Sequence, residues 1–257
     1  MAINADALRR PTDQGVLRRP AERGMLRRPS DRNLFLTAAI AFPLVVLVGY
    51  FRSYYFSAFF DVKPVANMLV HGHAVVMTLW VVYFSAQIAL VRTKNVRLHM
   101  TMGLFGVGLA ALVVVVGMLT AYDAQLVRGS APPGVNPHSF FVLPTLDMVL
   151  FVVFFAAAVY YRKRPTEHKT MMLMTAIAFV PAALFRLPVV PPHLMIHWAF
   201  GVPMLVAVAC LGWHASKRGR VNRVFAASVL LLLAAHPLRL FLLGSEAWLR
   251  FTAWLAA

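Results

Sequence analysis

Seven apolar stretches occupy residues 34–50, 65–91, 100–121, 140–161, 171–187, 194–213 and 221–243, and they leave few folds open to this chain. A helix needs about 20 mostly apolar residues to cross roughly 30 Å of hydrocarbon. A backbone in lipid has to satisfy its own N–H and C=O groups, so the stretches are read as helices. The expected fold is all-α: a polytopic membrane helical bundle of about seven transmembrane helices over residues 34–243. An arm of residues 1–33 precedes it, and residues 244–257 form an interfacial amphipathic tail. Pro43, Pro181 and Pro203 are expected to kink or loosen three of the spans.

The distribution of charge fixes an orientation. The chain carries 25 Lys and Arg against 9 Asp and Glu, a net charge of +16. Nineteen of these bases fall in residues 1–33 and in the connections 92–97, 162–169 and 217–223, which share one side of a seven-span bundle. Arg52, Lys63, Arg128, Arg186, Arg239 and Arg250 fall on or near the other side. This asymmetry places the N-terminus in the cytoplasm and the C-terminus outside a plasma membrane, the inner membrane of a bacterium. It accounts for the basic composition without nucleic acid. Residues 1–33 contain no apolar core of a cleavable signal, so the first span is expected to act as its own insertion signal. The single cysteine, Cys210, rules out an internal disulfide and a thiolate cluster.

Two duplications organise the chain. Residues 7–15, 16–24 and 25–33 read ALRRPTDQG, VLRRPAERG and MLRRPSDRN, three copies of a Leu-Arg-Arg-Pro nonapeptide. Nine residues cannot bury a core. The repeats suit either multivalent docking to anionic lipid or a cytoplasmic partner, or a purely topogenic role. Within the membrane, Arg-Leu-His99-Met-Thr-Met opens the third span and Thr-Glu-His168-Lys-Thr-Met the fifth. Spans two–three and four–five thus read as two copies of one hairpin, and spans six–seven as a degraded third. The tail (Trp248, Leu249, Arg250, Phe251, Trp254) and the loop FRSYYFSAFF at 51–60 have interfacial composition.

The nine histidines carry the chemical interest, because imidazoles have no use on a lipid face. His71, His73, His193, His197 and His236 fall toward the outer end, together with Asp147, Arg186 and Arg239. His99 and His168 fall toward the inner end. His73, Trp80 and Gln87 recur every seven residues, and this stripe is expected to face the bundle. Asp147 is expected to pair with Arg186 or Arg239. His138 and His214 are read as having no functional part.

Three chemistries fit the pattern. In the first, imidazoles from different helices ligate haem b: His99 with His168 inside, His71 or His73 with His197 or His236 outside. Arg186 and Arg239 outside, and Arg97 or Arg164 inside, are then available for the propionates, and Gly103, one turn from His99, leaves room for a flat macrocycle. In the second, His71 or His73 with His193 and His197 binds zinc, with Asp147 as a base. In the third, the histidines, Asp147 and the arginines form a metal-free site for protons or a quinone. Met100, Met102, Met171, Met172 and Met174 offer soft ligands for copper, or apolar packing.

The run His71-Gly-His73, Trp80, Gln87, Leu98-His99, Gly103, followed by Arg164-Pro165-x-x-His168-Lys-x-Met-Met, resembles a group of uncharacterised multi-pass bacterial membrane proteins. More loosely, the arrangement resembles cytochrome b561-type bundles, in which paired histidines on neighbouring helices hold haem near both faces. That resemblance implies electron transport with His99–His168 and an outer pair as ligands. The zinc reading is similar to membrane hydrolases of the ceramidase and adiponectin-receptor type. Three functions are therefore carried forward: a haem b-binding redox or quinone-linked protein, a zinc-dependent membrane hydrolase, and a non-catalytic subunit or assembly factor docking through residues 7–33. The orientation is checked with fusions to the C-terminus: alkaline phosphatase is expected to be active there and green fluorescent protein dark, and the reverse pattern contradicts it.

Overall fold

The computed structural model describes residues 32–62 and 67–257. Residues 7–31 of the nonapeptide repeats, and the first residues of the second expected span, lie outside the described residues. Helix α1 covers Arg32–Tyr50, α2 Met68–Arg92, α3 Val96–Tyr122, the short α4 Pro137–Phe140 and α5 Val142–Tyr160. Helix α6 covers Pro165–Leu184, α7 Met195–Arg218, α8 Arg223–Leu243 and α9 Glu246–Ala256. There is no strand among the described residues.

The ends of these helices follow local chemistry. The Asn67 side chain accepts from the Val70 amide at the start of α2, and Asn222 caps α8 in the same way through Phe225. Ser245 accepts from the Trp248 amide at the start of α9. Pro165 occupies the first turn of α6, where no amide is needed. Gly219, at φ 66°, ends α7 in the left-handed conformation that glycine adopts without a Cβ penalty. Pro43, Pro181, Pro203 and also Pro237 lie inside helices that continue through them.

Among the described residues six helical segments are long and apolar enough to cross a membrane, and α6 is not one of them. Its opening Pro-Thr-Glu-His-Lys-Thr is polar, yet twelve of its twenty residues are buried, because α1, α5, α7 and α8 all pack against it. A helix enclosed by protein needs no lipid-compatible surface. It still runs the length of α1. At one end the Lys169 ammonium lies 4.8 Å from the Phe35 ring centroid, and at the other the Arg186 guanidinium lies 4.1 Å from the Tyr50 ring. The two helices are therefore parallel, as in a seven-helix bundle. We call the end where α1 starts the arm end and the opposite one, beside α9, the tail end.

Helices α2–α3 and α5–α6 form the two most intimate hairpins, in accord with the internal duplication. One apolar core joins α5 to α8 and a second joins α1, α2, α3, α5 and α6, the latter around Trp80, Phe151 and Phe179. Outward faces carry Leu104, Phe105, Leu205 and Phe241, all exposed, as a lipid-facing surface requires. The tail is a helix, α9, anchored where the Trp248 indole donates to the His138 carbonyl at 2.9 Å and the Tyr122 hydroxyl to that of Leu255 at 3.2 Å. Trp254 is 72% exposed beside Phe251, an interfacial face.

Close approach sets the α1–α6 contact. A Cβ added at Gly49 would lie 2.5 Å from the Ala183 carbonyl oxygen, whereas one at Gly72 would meet nothing within 4 Å. Gly49→Leu is expected to cost about 1–3 kcal/mol through overpacking and to lower the melting temperature in detergent. Gly72→Ala is expected to leave it unchanged, and equal melting of both variants contradicts the packing.

Candidate functional site

Both expected inner histidines sit one turn inside their helices, since α3 starts at Val96 and α6 at Pro165, earlier than the apolar runs suggest. At the arm end the His99 and His168 rings stand edge to face, with centroids 6.3 Å apart and planes at 76°. Helix α3 packs on α2 and α5, and α6 on α1, α5, α7 and α8, so the two rings reach across the wedge between α3 and α6. His168 Nδ1–H donates to the Ala158 carbonyl at 2.8 Å, which fixes the tautomer and leaves Nε2 with its lone pair. His99 Nδ1 is buried without a hydrogen-bond partner.

The stripe along α2 faces inward as its spacing requires. Trp80 is fully buried, Gln87 is 8% exposed and His73 is half-buried. Each also holds a buried polar atom without a partner: His73 Nδ1, Trp80 Nε1 and Gln87 Oε1. The Gln87 amide donates to the Tyr83 hydroxyl, which in turn donates to the Met102 carbonyl at 2.6 Å, fastening α2 to α3 just behind His99. Sequence reasoning missed Tyr83. Its only signal was a position one turn before Gln87, and its fit depends on Gly106 in the facing helix, where any Cβ would strike the phenol ring.

At the tail end the structure separates residues that the sequence grouped. His197 Nδ1 and His236 Nε2 lie 3.3 Å apart, one donating to the other, with ring centroids at 5.5 Å. The outer pair is thus His197 with His236. His71 instead lies 3.1 Å from the Tyr54 hydroxyl, and among the described residues no hydrogen bond or ring contact joins His71 or His73 to His197 or His236. His193 is exposed in the short turn Pro192–Leu194.

Asp147 takes Arg239 as its partner. The guanidinium, 1% exposed, donates to the carboxylate at 2.5 Å and lies 4.2 Å from the Phe200 ring centroid. Arg186 is engaged elsewhere, over Tyr50 and with the Ala182 carbonyl at 2.5 Å. Phe200 also touches the His236 ring, so the ion pair and the histidine pair form one constellation from α5, α7 and α8. His236 Nδ1 and Arg239 Nε are buried there without partners.

Among the described residues no three His, Cys, Asp or Glu side chains gather as a metal-binding group. The zinc set of His71 or His73 with His193 and His197 is therefore not assembled. Met171 and Met174 belong to the apolar core, and Met100 faces outward, which matches packing rather than copper ligation. His214 is buried against Phe225 and His138 lies beneath α9.

No family model, curated protein or solved structure matches the chain. What the fold and the apolar surfaces establish is an integral membrane protein of several helices.

Removing one member of a buried ion pair strands the other charge, at about 3–5 kcal/mol. Asp147→Ala is expected to reduce the folded yield and melting temperature sharply. The double variant Asp147→Leu/Arg239→Met is expected to recover most of the loss, because no charge is left unpaired. A double variant no better than the single would contradict the pairing.

Proposed function

We propose that the protein is a haem b-binding electron-transfer protein of the bacterial inner membrane, with His99 and His168 as the residues that would hold the haem and its N-terminus in the cytoplasm. The observation that carries this reading is the spacing of the two rings. Metal–imidazole bonds are about 2 Å long, so two rings that shared one metal would stand close together, and this pair's centroids are 6.3 Å apart. The donor set fits as well. The Ala158 carbonyl orients His168 as outer partners orient metal-bound histidines. His99 supplies a buried nitrogen without a partner, which a ligand would satisfy.

A Cβ at Gly103, one turn past His99, would meet nothing within 4 Å, so the backbone leaves a flat group room there. Arg97 and Arg164, at the same end, are the residues that would hold propionates. Haem supplies one-electron chemistry when bound. His99 and His168 would hold the group, and the Tyr83–Gln87 hydrogen bonds fasten α2 to α3 beside them. At the tail end, His197, His236 and the Asp147–Arg239 pair suit the proton exchange that a membrane-dissolved quinone requires, which makes a quinone the matching electron partner.

Protein purified in detergent from cells supplied with a haem precursor is expected to show a Soret band and a reduced-minus-oxidised difference spectrum. His99→Ala and His168→Ala are expected to abolish both, and His197→Ala to retain both. Protein with no Soret absorbance and no extractable haem overturns the reading. The triple Leu-Arg-Arg-Pro repeat favours a second reading, a non-catalytic subunit of a larger membrane complex. Absent haem, with a partner that co-purifies only when residues 7–33 are present, would support it.

A further inference from the structure

Helices α1 and α2 are stitched together where the Ser85 hydroxyl donates to the Ala39 carbonyl at 2.9 Å. Toward the arm end α1 leans on the other side of the bundle. Leu34, Phe35 and Ala38 pack on the core of α5–α8, and the Phe35 ring lies under Lys169. A groove of about 320 Å³ lies between α1 and α2 there. Leu36, Ala39 and Ile40 form one wall and Ser85, Ile88 and Ala89 the other, with Arg92 and Thr93 at the arm-end mouth. It opens outward, since Ile40 is 53% exposed and Ala89 is exposed. Seven residues of α2 separate Ser85 from Arg92, about 10 Å of helix at 1.5 Å per residue.

We propose that this groove binds one acyl chain of an anionic phospholipid from the arm-end leaflet, with the headgroup phosphate meeting Arg92 and Lys94. The chemistry of the two ends selects that ligand. The walls are apolar apart from Ser85, whose hydroxyl is already committed to Ala39. The mouth opens on the connection 92–97, which holds Arg92, Lys94 and Arg97 and no acid. Lys94 stands exposed in the turn after α2, at φ 63°. A guanidinium beside a flexible ammonium at the headgroup level matches a phosphate with net negative charge, whereas a zwitterionic lipid offers its own cation against theirs. A quinone would use the apolar walls but carries no charge to complement the basic mouth. This inference stands independently of haem binding.

Native mass spectrometry of the full chain, titrated with phosphatidylglycerol or phosphatidylcholine of equal chain length, tests it. Each basic residue at a membrane surface is worth roughly fivefold in affinity. The wild type is therefore expected to retain phosphatidylglycerol at least fivefold more strongly, and Arg92→Ala/Lys94→Ala to erase that preference. Ala89→Phe fills the groove and is expected to reduce binding of both lipids. Ile40→Trp, at an exposed wall position, is expected to do the same if Ala89→Phe yields no folded protein. Equal retention of the two lipids by the wild type overturns the proposal. So does a preference that survives both groove-filling variants, which would place the anion elsewhere on the basic surface. A quinone that co-purifies and is displaced only by groove filling overturns it as well.

Discussion

Hydrocarbon gives a polar side chain no solvent partner, so every such group in this bundle has to be enclosed, paired or held at an edge. Helix α6 shows the consequence most directly. Its polar first turn would be costly against lipid, and it is instead surrounded by four other helices, with Lys169 and Arg186 placed over aromatic rings at its two ends. Asp147 and Arg239 solve the same problem by pairing, which ties α5 to α8 near the tail end. Gln87 solves it through Tyr83, which ties α2 to α3 near the arm end. Each solution fixes two helices relative to one another, and together they set where the histidines stand.

The exceptions then gain meaning. A buried nitrogen without a partner costs about 1–3 kcal/mol, and His99, His73 and His236 each hold one. The two histidine pairs differ in kind. His197 and His236 are within direct hydrogen-bond distance, so each satisfies a nitrogen of the other. His99 and His168 approach without such a bond, and His168 is oriented by a backbone carbonyl instead. The first arrangement closes on itself through one nitrogen of each ring and suits proton exchange. The second has ring nitrogens to spare and suits a ligand.

Much of this was legible in the sequence because helical periodicity and depth are local properties. The apolar runs placed the helices, the seven-residue spacing turned His73, Trp80 and Gln87 inward, and the repeated His-x-Thr-Met motif brought His99 and His168 to one level. Cost alone requires an arginine partner for Asp147 and leaves Arg186 and Arg239 open; the structure selects Arg239. What could not be read is which helix faces which. Periodicity gives the angle of a residue on its own helix and says nothing of its neighbour, so His71 was grouped with His197 although it meets Tyr54. The same blindness hid Tyr83, whose place depends on Gly106 across the interface. Apolar runs also understate helix length at polar ends, so the runs place His99 and His168 at the very start of helices that in fact begin at Val96 and Pro165.

The central claim is that two imidazoles from helices α3 and α6 bracket a bound group at the arm end. A cryo-electron microscopy map of the full chain in a lipid nanodisc tests it most directly. Planar density between His99 and His168 is expected, with His168 Nδ1 still held by the Ala158 carbonyl. A map with the two rings in direct contact, or turned outward to lipid, and no density between α3 and α6 would contradict it.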